Sequence, residues 1–167
     1  MAPPAFAGLA RRIDAHVAEF PATAADVSVA DLLDDIGMLN QYLQHIAEHI
    51  QERFANPDNV GLAERTLLCE TVEAAGQIAK AQHYLTSALT YMTAGFRKEL
   101  MLRSYPHLAH DPDLALTIAT EKYGEAGNRL RTASHWLDST TRTGQRPTTA
   151  PPRLRSSPTA STMPARR

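Results

Sequence analysis

The chain has a single cysteine, Cys69, among its 167 residues. One thiol cannot build an intrachain disulfide framework, and the lack of one fits a reducing compartment. No apolar run approaches the roughly 18 residues that a membrane-spanning helix requires. The N-terminal stretch Ala5-Phe6-Ala7-Gly8-Leu9-Ala10 is apolar, but Arg11 and Arg12 follow it, the reverse of the order in a secretory leader. The expectation is a cytoplasmic protein with no membrane segment. Aromatic residues are scarce, with one tryptophan and four phenylalanines, whereas a β-sandwich core draws on more aromatic and β-branched side chains. Phosphate-cradling glycine loops, a Gly-x-Ser-x-Gly turn and dinucleotide-binding glycine patterns are missing. With no motif to name a reaction, a non-enzymatic role is the expectation.

Alanine is abundant instead, and small side chains let helices approach closely. Four helical segments are predicted. The first runs from about Pro4, which suits a first helical turn, to Phe20, where Pro21 halts it. Phe6, Leu9, Ile13, Val17 and Phe20 form its apolar stripe. The second starts at Ser28, whose hydroxyl caps the helix, with Asp31 at the third helical position and Val27 and Leu32 placed as a staple. Leu32, Ile36, Leu39, Leu43, Ile46 and Ile50 then alternate steps of four and three, a seam of coiled-coil type. Asn56-Pro57-Asp58-Asn59 ends it and supplies a cap for the next segment.

The third segment, from Val60 to Arg103, would span about 65 Å if unbroken. Ile78, Leu85, Leu89, Met92 and Phe96 give its stripe, and a break is expected near Thr93-Ala94-Gly95. Tyr105 to His110 reads as a loop. Asp111 caps the fourth segment, with Pro112 in its first turn; Leu116, Ala119, Tyr123, Ala126, Leu130, Ala133 and Leu137 follow at steps of three and four. From Thr141 the periodicity stops among repeated prolines, and such a stretch cannot offset the entropy of ordering itself. The reading is an all-α, antiparallel bundle of about four helices over residues 1–139, with a disordered, basic Arg/Pro/Ser/Thr-rich tail over 140–167.

Charge is divided along the chain. All 18 acidic residues lie at or before Asp138, together with eleven basic ones, which leaves the body seven negative charges in excess. Arg142, Arg146, Arg153, Arg155, Arg166 and Arg167 make the tail positive. An acidic body is a poor general binder of nucleic acid, so any phosphate contact would fall to the tail. Those arginines lack interleaved aromatics for base stacking.

The sharpest motif is His45-Ile46-Ala47-Glu48-His49. It matches the H-x-x-E-H pattern of inverzincin metallopeptidases, in which two histidines one turn apart hold zinc and the glutamate activates water. The strand-rich surroundings of that family are missing, and the Leu/Ile seam turns His45 and Glu48 outward with His49 at its flank. A third ligand would have to come from a distant carboxylate such as Glu125. His45 and His49 are therefore the candidate metal ligands, and zinc the metal they would suit. Glu-x-x-His, the ligand pattern of ferritin-like bundles, does not occur. His16, His83 and His135 are isolated and are expected at bundle edges. His107, His110, Asp111 and Asp113 make a polar loop cluster suited to capping. Cys69, beside the apolar stripe, is expected to be buried and inert. The small secreted WXG-type hairpins are excluded, since no Trp-x-Gly occurs and no tyrosine has an acidic residue four later.

The function these features point to is a non-enzymatic helical bundle acting through a protein partner or self-association. The alternatives are a metal-binding bundle using His45 and His49, and a nucleic-acid-associated protein using the tail.

Overall fold

The computed structural model describes residues 6–55, 61–93 and 112–145, and in the last stretch side chains from 113 to 140. Four helices account for most of them: α1 Ala7–Ala18, α2 Val29–Phe54, α3 Leu62–Met92 and α4 Pro112–Gln145, with a 3-10 turn at Ala24–Asp26 between α1 and α2. No strand occurs among the described residues.

Local chemistry sets the helix ends. At the start of α2 the Ser28 hydroxyl accepts from the Asp31 N–H (3.1 Å), and the Asp31 carboxylate accepts from the Ser28 N–H (3.1 Å). The Ser28 hydroxyl also donates to that carboxylate (2.6 Å), and this bond, followed by the one from the Ser28 N–H, holds the Asp31 carboxyl below its ordinary value. α3 begins at Gly61, whose N–H goes to Glu64 (3.0 Å). The expected caps Asp58 and Asn59 lie outside the described residues. α3 stops at Met92, and Thr93 closes its last turn by donating its hydroxyl to the Leu89 carbonyl (2.7 Å). The stretch from Ala94 to Asp111, with the predicted loop and its histidines, lies outside the described residues.

The helices alternate in direction. Phe6 meets His49 and His16 meets Asp35, so α1 and α2 run antiparallel. Ser134 bonds to Ala10 while Phe20 packs on Tyr123, which reverses α4 against α1. Ser139 reaches Glu70 and Lys122 sits over Tyr84, which reverses α4 against α3. α3 and α4 share the most extensive interface. It is built on the buried alanines 74, 81 and 88 of α3 and 115, 119, 126 and 133 of α4, whose small side chains bring backbones together. Gly127 extends this on the α1 side, where a Cβ would already touch Phe20 (3.6 Å) and Val17 (3.7 Å).

The predicted stripes of α1 and α4 form the core, with Ile13, Leu130 and Leu137 fully buried. On α2 the core face is rotated from the expected one. Leu32, Leu39 and Ile46 are buried as predicted, but Tyr42 joins them while Ile36, Leu43 and Ile50 are only partly covered. α4 runs on to Gln145, past the expected boundary at 139/140. Thr140 continues the stripe after Leu137: it is buried and donates its hydroxyl to the Leu137 carbonyl (2.6 Å). A threonine that bonds back to its own helix is compatible with burial, and Thr71 does the same with Leu67 (2.7 Å). Residues 146–167, which hold most of the predicted tail, lie outside the described residues.

Close packing through alanine makes these positions intolerant of bulk. Ala81→Leu, at a site with no exposed surface, is expected to lower stability by about 1–3 kcal/mol. Ala47→Leu, on the exposed side of α2, is expected to stay within about 0.5 kcal/mol of the parent. Urea unfolding of the two variants checks the contrast.

Candidate functional site

The densest concentration of polar chemistry lies between α1, α2 and α4. Asp35 sits about two turns into α2, on its inner face. Its Oδ1 accepts from His16 Nε2 of α1 (2.9 Å), and its Oδ2 accepts the hydroxyl of Tyr123 from α4 (2.9 Å). The other ring nitrogen of His16, Nδ1, faces the Tyr42 hydroxyl (3.3 Å). His16 Nε2 and Nδ1 thus each have a partner on α2, a carboxylate oxygen and a phenol hydroxyl. Phe20 packs edge-on against both His16 (5.2 Å between centroids) and Tyr123 (5.3 Å), and the Arg12 guanidinium lies 5.6 Å from the Tyr42 ring centre.

Burial shapes the acidity of the phenols. The hydroxyl of Tyr123 is pushed far above its ordinary value, first by desolvation and then by the Asp35 carboxylate beside it. Tyr42 is raised as well, chiefly by desolvation, with Arg12 opposing the shift. Both phenols stay neutral donors over the physiological range. Asp35 has both oxygens occupied, His16 both nitrogens, and neither cavity reaches them. One cavity, about 350 Å³, is a groove between α1 and α4 bordered by Arg11, Asp14, Arg131 and His135. The other, about 230 Å³, lies along α3 from His83 to Tyr91. The network is a satisfied internal tie whose polar atoms bond to one another.

The sequence-predicted site residues are placed as follows. His45 and Glu48 are exposed on α2, as the seam implied. His49 is half-buried, its ring edge-on to Phe6 (4.5 Å), with Nε2 enclosed and without a hydrogen-bond partner. Desolvation lowers its pKa from the ordinary 6.5, and Arg53 and His45 add to the effect while Glu52 opposes it. Among the described residues no third His, Cys, Asp or Glu joins the pair, and Glu125 is exposed on α4. His83 and His135 are exposed, as expected of edge positions. His16 is not at an edge: its side chain is 9 % exposed and it ties α1 to α2 through Asp35 and Tyr42. Cys69 is exposed, not buried. It stands two residues from both Leu67 and Thr71, which face the core, and two residues on a helix turn a side chain by about 200°. Asp113 is exposed, while His107, His110 and Asp111 lie outside the described residues.

The signal for the network was present in the sequence. Asp35, Tyr42 and His49 recur every seven residues on one edge of α2, and interleave with Leu32, Leu39 and Ile46 at steps of three and four. An apolar-only search passes over that edge because its members are polar.

Two outcomes follow. A phenol whose folded value is raised contributes stability that is complete below its unfolded value of about 10 and is lost as pH rises beyond it. Denaturant midpoints are therefore expected to fall above about pH 10, and less steeply in Tyr123→Phe, which at neutral pH costs about 1–3 kcal/mol by leaving Asp35 short of a donor. His49 has the opposite sense. Its lowered value means that stability present above 6.5 is lost as pH falls through the folded value. His49→Phe should flatten that acid limb in the same measurement.

No protein-family model, curated protein or solved structure matches this chain.

Proposed function

We propose that this protein is a non-enzymatic helical bundle that works by coiled-coil-like contact with another protein surface, through the outer face of α3. One observation carries the proposal. Leu62 is 84 % exposed and Val72 54 % exposed, with Cys69 exposed between them. Single exposed apolar side chains are ordinary, but a line of them on one helix face is what an interaction surface presents. The closed polar network supports the same reading, because its donors and acceptors are used up inside the chain. No helix among the described residues is long and apolar enough to cross a membrane, so a lipid-spanning role does not account for the face.

Cys69 offers a direct test. In the cell that makes the protein, a membrane-permeant maleimide is expected to label Cys69 much more slowly than it labels the dilute purified chain, because the face is covered. Equal rates would defeat the proposal.

A further inference from the structure

We propose that the occupant of this face is a second copy of the same chain, packed antiparallel α3 against α3; the inference rests on the contact function proposed above. Leu62, Arg65, Cys69, Val72, Gly76 and Ala79 follow one another at steps of three, four, three, four and three, and all are exposed. That spacing is a coiled-coil seam on the side of α3 opposite its core face. It is also self-complementary under reversal. A twofold axis between Glu70 and Thr71 sets Leu62 against Ala79 of the other copy, Arg65 against Gly76 and Cys69 against Val72. Every seam residue then faces another member of the same set, as a closed dimer with one shared patch requires.

Size and charge both favour this register. At the outer layers a large side chain meets a small one. Gly76 has no described residue within 4 Å of where a Cβ would stand, beyond its own helix backbone. Over it the Arg65 stem can lie flat, with its guanidinium within reach of Glu73 of the other copy, one turn away. Arg65 also has a contact in its own chain, and a guanidinium has five donors to divide between the two. Glu73 uses one oxygen for Gln77 (2.9 Å) and has a second to offer. A parallel pairing would set Arg65 against Arg65 and lose this match.

Sedimentation of the full chain at high micromolar concentration is expected to show a dimer. Arg65→Glu and Glu73→Arg should each yield monomer, and the double reversal should recover the dimer. Gly76→Gln should also yield monomer while its circular dichroism stays helical, since a Cβ at that position has open space around it. A monomer at all concentrations, with Cys69 still shielded in cells, would overturn the second-copy assignment and leave the contact function standing. A dimer indifferent to all three substitutions would overturn the register. Cys69 labelled at full rate in cells would overturn both proposals.

Discussion

A carboxylate at the inner face of a helical bundle cannot be left unpaired, and Asp35 obtains its two donors from two different helices. His16 comes from α1 and Tyr123 from α4, so the charge is satisfied only when three helices are in register at once. A slip of one turn moves a side chain about 5.4 Å along the helix axis, enough to break either bond and leave the oxygen to meet its desolvation cost alone. Apolar layers do not discriminate in that way, since leucine against leucine tolerates displacement by a heptad. Asp35 therefore fixes the alignment that the surrounding hydrophobic surface makes stable. Phe20 completes the arrangement by covering both donors with its ring.

The bundle has two kinds of interface, and the network occupies the wider one. Between α3 and α4, alanines bring the backbones together. Between α1 and α2, contact is made by long side chains: Phe6 on His49, His16 on Tyr42, and Arg12 over the Tyr42 ring. A wide interface filled by rings has room for polar groups and the geometry to pair them. The α3/α4 interface, lined by methyl groups, still carries the part-buried Ser139–Glu70 bond (3.3 Å).

How much of this was legible in the sequence depends on which side chains carry each feature. The seam of α2, its Ser28–Asp31 cap and the large-small alternation of α4 follow from apolar spacing and from hydroxyl and carboxylate chemistry at a helix start, and the four-helix antiparallel architecture follows from them. Features whose residues are polar but buried were not legible in that way. Tyr42 and Asp35 lie on the core face because partners on other helices pair them, and a partner far away in sequence cannot be seen from spacing. Thr140 belongs to the core because its hydroxyl bonds to its own helix, which hides the polarity that seemed to end the segment. Cys69 was misplaced for a different reason. It was placed beside the apolar stripe of its segment, whereas the angle per residue puts it on the far side.

That same angle explains why α3 differs from its neighbours. Its inner face runs through Leu67, Thr71, Ala74, Ile78, Ala81, Leu85 and Ala88, all buried. Its outer face carries Leu62, Cys69, Val72, Gly76 and Ala79, all exposed. A helix with one apolar stripe belongs at the surface of a bundle, and one with apolar residues on both sides belongs between two layers. Among the described residues, α2 and α4 pack against the inner side of α3. The apolar residues on its outer side raise no stability in the isolated bundle, and Gly76 in mid-helix lowers it by about 1 kcal/mol relative to alanine. Residues that cost the monomer something and give it nothing are accounted for when a second layer supplies their contacts.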